Sequence, residues 1–200
     1  LTDYFKSVFT KHLKEIELIG QSLLGDDLAN DRPFIAKLGV NDWEWYAGSY
    51  KRAADVLVQS VQEGKEYVDQ LVYPVGAMYR QSIELQLKRL YLLVFPDSKL
   101  PFHHKLEELW QGVRGLWEQY PKPDYYTVHL ISLDKRLAEF MQMDPTSQSF
   151  RYPTDKIGEP SFGESSVNLR KMKEIAYAIH IFIDLVATGI EEGSNRSEAR

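Results

Sequence analysis

Over most of this chain, apolar positions recur every three or four residues, the period of a helix with one buried face. The strongest stripe runs through Val72, Val75, Tyr79, Ile83, Leu87, Leu90 and Val94, with Leu85, Leu92 and Leu93 beside it. That spread predicts a central helix over 67–95 with neighbours on several sides. Pro74 lies inside it and lacks a backbone donor, so a kink near Gln70 or a later start is expected. Weaker stripes predict helices over 3–24, 49–62, 103–120, 125–143 and 166–190. Gly25, Gly64, Pro96, Pro121 and Pro145 supply the stops between them.

Two stretches break the period. Residues 28–48 are rich in turn formers yet hold Trp43 and Trp45, which predicts a packed connection with one short helical turn. Residues 146–166 carry many Ser, Thr, Gly and Pro and predict a long excursion with a short hairpin over Phe150 to Tyr152. The pattern as a whole predicts an all-α bundle of about six helices with one long non-helical excursion before the last helix. It reads as a single α-helical domain over 1–190. The N-terminal helices and aromatic-rich connection occupy 1–64, the core occupies 65–190, and 191–200 form a disordered tail.

Composition narrows the function without naming it. With 44% hydrophobic and 26% charged residues, the chain has the make-up of a soluble globular protein. A net charge of -5 argues against a strongly basic nucleic-acid binder, although a local basic groove is compatible with it. The absence of cysteine removes disulfides, thiolate metal sites and thiol nucleophiles together, which fits a reducing compartment. The longest apolar run, Leu90 to Phe95, is far short of the ~20 residues of a membrane span. A cytoplasmic protein with no membrane partner is expected.

Most chemistries fail on inspection. There is no glycine-rich phosphate loop, no nucleophile elbow and no helical histidine pair with zinc spacing, so neither metal nor cofactor is expected. His180 and Asp184 lie one turn apart on an apolar helix and read as a satisfied core pair. Arg80, Glu84 and Lys88 form an i, i+4, i+8 row beside the central stripe. An exposed row would be an ordinary surface salt bridge. A buried one needs further partners to offset its desolvation, and His104, Arg151 and Asp155 are the available ones. A structural network and a functional pocket both remain open for this row. The loop residues Arg151, Tyr152 and Asp155 have the chemistry to hold a phosphate or stack a base, while pinning the loop to the bundle is the simpler role. Capping or packing is likewise the simpler role for His104.

Three segments together, YRQSIELQLKRLYLL, HHKLEELW and FRYPTDKIG, resemble a group of bacterial HEPN-like proteins (higher eukaryotic and prokaryotic nucleotide-binding). The resemblance covers Tyr79 to about Gly158 and the final helix, and leaves residues 1–64 without a counterpart. It implies a helical bundle, usually a homodimer, in proteins tied to RNA cleavage, toxin–antitoxin pairs or phage defence. HEPN ribonucleases place a histidine four to six residues after an arginine, and no arginine here has one. After Arg80 those positions are Leu85, Gln86 and Leu87. The expectation is therefore a catalytically silent module that binds a nucleotide, RNA or a partner protein through Arg80, Glu84, His104, Arg151, Tyr152 and Asp155. The competing readings are a metal-independent ribonuclease using Arg80, His104 and Arg151, and a plain interaction scaffold. The strongly apolar last helix, with the resemblance, predicts a homodimer. Light scattering that returned the 23.2 kDa monomer mass at micromolar concentration would refute it.

Overall fold

The computed structural model describes residues 42–99, 103–117, 124–163 and 166–198, with the backbone alone at 124–129 and 192–198. The chain divides into two units, Leu1–Lys37 and Leu38–Arg200, and every described residue belongs to the second. The helix predicted over 3–24 lies outside the described residues.

Five helices make up the described residues, with no strand among them. They are α1 (Trp43–Gln62), α2 (Val68–Val94), α3 (Leu106–Trp117), α4 (Asp124–Met143) and α5 (Leu169–Glu198). The second unit is an all-α bundle arranged around α2, which packs against α1, α3 and α5. Its stripe residues Val75, Tyr79, Ile83, Leu87 and Leu90 are buried, joined by Ala54 and Val58 of α1, Leu109 and Trp110 of α3, and Ile179 and Ile183 of α5. Every residue from Ser82 to Lys88 is buried, as expected for a helix covered all round.

The boundaries differ from the predicted ones in informative ways. α1 begins at Trp43 and not at Ser49, because no breaker lies between them and Gly48 is tolerated inside the helix. Trp45 is consequently 70% exposed on a helix face and not packed in a connection. α2 starts at Val68 and carries Pro74 in its second turn. α5 starts at Leu169 because Asn168 caps it, its Oδ1 accepting from the Lys171 amide at 3.0 Å. It runs on to Glu198 instead of giving way to a disordered tail after Ile190.

The excursion between α4 and α5 does fold back on itself, but not over Phe150 to Tyr152. The paired positions are Thr154 and Pro160. Asp155 organises the tip: its Oδ1 accepts from the amides of Ile157 and Glu159, both at 2.9 Å. Gly158 closes that tip with φ +89°, which glycine adopts without a steric penalty. Phe150 is what fastens the excursion to the bundle. Its ring lies so close to Gly76 of α2 that a β-carbon there would sit 2.3 Å from it, so only glycine fits. Phe162 packs against Phe150 in a tilted arrangement, with centroids 5.0 Å apart and the ring planes 49° to each other.

Candidate functional site

Helix geometry puts Arg80, Glu84 and Lys88 on one side of α2. The Arg80 side chain is 0% exposed. Its Nη1 donates to Glu84 Oε2 at 2.7 Å, its Nε to the Asp144 carbonyl at 3.0 Å, and its Nη2 to the His104 carbonyl. The Asp144 carboxylate lies 3.6 Å from Nε and accepts from the amides of Gln148 and Ser149 at 2.7 and 3.0 Å. Glu84 uses its other oxygen for Lys88 Nζ at 2.8 Å and His104 Nδ1 at 2.9 Å. Two cations thus face two carboxylates, and one guanidinium ties α2 to the end of α4 and the turn before α3. Burial pushes the Glu84 carboxyl up, but the hydrogen bonds from Lys88, His104 and Arg80 outweigh it and hold the group below its ordinary value.

The partners are not the predicted ones. Asp144, the residue that ends α4, supplies the second carboxylate, and neither Arg151 nor Asp155 joins the network. Arg151 is exposed, donates to the Ser147 carbonyl and lies over the Tyr152 ring at 5.8 Å. Tyr152 is exposed, and Asp155 is spent on its own turn. Of the predicted site residues, the fold therefore brings together Arg80, Glu84 and His104 alone. His104 is the solvent edge of the group, with its side chain 55% exposed. A sequence signal for Asp144 did exist. An acidic residue at a helix C-terminus opposes the macrodipole, so it is expected to have another use.

The other side of α2 carries a second polar cluster. Ser82 and Gln86 are an i, i+4 pair, set about half a turn away from the Arg80 row. They meet His180 and Asp184, the corresponding pair on α5. His180 Nε2 lies 2.5 Å from Ser82 Oγ, and Gln86 Nε2 donates to Asp184 Oδ1 at 3.2 Å. Gln86 Nε2 also lies 3.4 Å from His180 Nδ1, which makes Nδ1 the acceptor and places the ring proton on Nε2. Burial, followed by the nearby Lys51 charge, lowers the His180 pKa to about 4, so the ring is neutral. Burial also raises the Asp184 carboxyl, with Glu44 acting in the same direction against Arg89. Arg89 donates to Asp184 at 3.1 Å and pairs with Glu44 at 2.9 Å and Glu191 at 3.5 Å.

A groove of about 650 Å³ lies above this cluster, between α1 and α5. Gln86, His180 and Asp184 line it together with Trp45, Arg52 and Tyr177. Gln86 is 2% exposed, and its Oε1 accepts no hydrogen bond among the described residues. No group of three or more metal-ligating side chains occurs among the described residues. No described helix is long and apolar enough to cross a membrane. No family model, curated protein or solved structure matches the chain.

Proposed function

We propose that this chain is a HEPN-like binding module, catalytically silent, that engages a partner protein. The observation that carries this reading is the closure of Arg80. Metal-independent RNA cleavage needs a cation on the developing phosphorane and a base at the 2′-hydroxyl, held together in one open site. The Arg80 guanidinium is enclosed and committed to Glu84, Asp144 and His104. His104 is accessible, but its Nδ1 is tied to Glu84, and Arg151 is engaged with the turn at Ser147. The geometry therefore speaks against the ribonuclease reading and for a structural role of the row.

A protein partner is favoured over a nucleotide or RNA by the character of the open surface. Tyr177, Ile181 and Leu185 stand exposed at i, i+4, i+8 on α5, and Trp45, Tyr46 and Tyr50 stand exposed on α1. Apolar faces of this kind mark protein-interaction sites, whereas a phosphate backbone calls for a basic track. A toxin–antitoxin or phage-defence setting agrees with such a role.

Purified protein is expected to leave single-stranded RNA and tRNA intact in the presence of EDTA. Cleavage that survives EDTA and is lost in both Arg80→Ala and His104→Ala would make the chain a ribonuclease instead.

A further inference from the structure

We infer that the protein partner proposed above, a reading on which this one rests, is a second copy of this chain. It docks on the groove between α1 and α5, with the two α1 helices antiparallel and crossing at Gly48. Charge is ordered along this groove. Asp42 and Glu44 stand at the start of α1, and Asp184 of α5 lies beside them, joined to Glu44 through Arg89. Lys51 and Arg52 stand two turns further along α1, next to Tyr177 of α5. The groove therefore has an acidic end and a basic end. An occupant of a single charge meets its like at one of them, whereas a surface with the same order reversed matches both.

Glu44, Gly48 and Arg52 make that order a single row, i, i+4, i+8 on α1, and all three line the groove. Four residues of helix rise about 6 Å, so Glu44 and Arg52 lie equally far from Gly48 on either side. A two-fold axis crossing α1 at Gly48 sets Glu44 of each copy against Arg52 of the other, twice by symmetry. Both side chains have capacity for this pairing. Arg52 is exposed and makes no ion pair among the described residues, and Glu44, also exposed, holds only Arg89 there. Lys51 is already committed, held by Asp55 at 2.7 Å.

Gly48 supplies a second reason, which does not depend on charge. A glycine inside a helix weakens it, because its backbone has more freedom to lose on folding. Gly48 has no positive φ, and no atom among the described residues comes within 4 Å of where its β-carbon would stand. Nothing described within one copy therefore calls for glycine at this position. A bare backbone at the midpoint of the row lets a second helix approach closely, since interaxial distance is set by the side chains at the crossing. Trp45, Tyr177 and Ile181, all exposed, line the same groove and give the contact its apolar part. Apolar side chains accompanied by paired charges are the make-up of a specific protein interface.

Sedimentation equilibrium of the intact chain tests this arrangement, with the wild type expected at twice the 23.2 kDa monomer mass at micromolar concentration. Glu44→Lys and Arg52→Glu alter exposed side chains, so neither threatens the fold. Each alone sets like charges against each other twice and should weaken self-association at least about tenfold. An equimolar mixture of the two variants should recover the dimer, because every pair in the mixed dimer joins opposite charges. Gly48→Leu should block the crossing and abolish the dimer while circular dichroism shows the helix content kept, since leucine favours a helix interior over glycine. A monomeric wild type, a mixture that associates no better than its components, or a Gly48→Leu chain that dimerises like the wild type would each overturn the arrangement. RNA cleavage by the purified protein would sink the silent-module reading and leave the dimer standing. A monomer that cleaves no RNA would sink the second-copy assignment alone and leave the groove to a different protein.

Discussion

The two sides of α2 treat buried polarity in opposite ways. On one side, Arg80, Glu84, Lys88 and Asp144 form a charge-balanced group closed off from solvent except at His104. On the other side, Ser82, Gln86, His180 and Asp184 form a group with one acceptor unfilled among the described residues, beneath an open groove. Both sit on the same helix at the same depth, so depth alone does not decide which polar cluster is structural. Completeness does. A closed network has spent its directional bonds on the fold, whereas an incomplete one retains bonding capacity for something else.

The comparison breaks first at Glu84. Removing its carboxylate strands Arg80 and Lys88 in a dry interior, so Glu84→Ala should cost about 3–5 kcal/mol. Chemical denaturation would measure it. A loss below about 0.5 kcal/mol, the scale of exposed pairs, would mean that the row is solvated and that the two sides do not differ.

Proton linkage sharpens the contrast with a somewhat smaller effect. His180 is held neutral with a pKa of about 4, below its ordinary 6.5, so the unfolded chain binds a proton that the folded chain refuses. Its contribution is fully present above pH 6.5 and is lost as pH falls toward 4, a change of about 3 kcal/mol. Asp184, whose carboxyl is raised, acts in the opposite sense as its own penalty is relieved. Glu84, with its pKa lowered, begins to lose its contribution only below its unfolded value of 4.5. Stability measured from pH 7 to 4 should therefore fall in the wild type and fall much less in His180→Gln. Parallel curves for the two proteins would show that the ring is accessible and that the cluster is not dry.

The sequence alone determined the all-α architecture, the central place of α2 and the importance of its Arg80 row. Those follow from a period of three to four residues and from charges set against an apolar stripe, both of which are local in the chain. Helix ends were legible only in part: Asn168 and the run of non-breakers after Trp43 set boundaries that apolar periodicity does not register. The partners of the row were out of reach, because Asp144 lies 64 residues from Arg80 and Arg151 looked equally able to serve. His180 and Asp184 were visible as a pair, whereas Ser82 and Gln86 drew no notice beside the charged row. That the two pairs meet, leaving one amide oxygen unfilled among the described residues, depends on how α2 and α5 pack. An i, i+4 pair fixes which residues share a helix face, but only the packing of helices distant in sequence decides which faces complete one another.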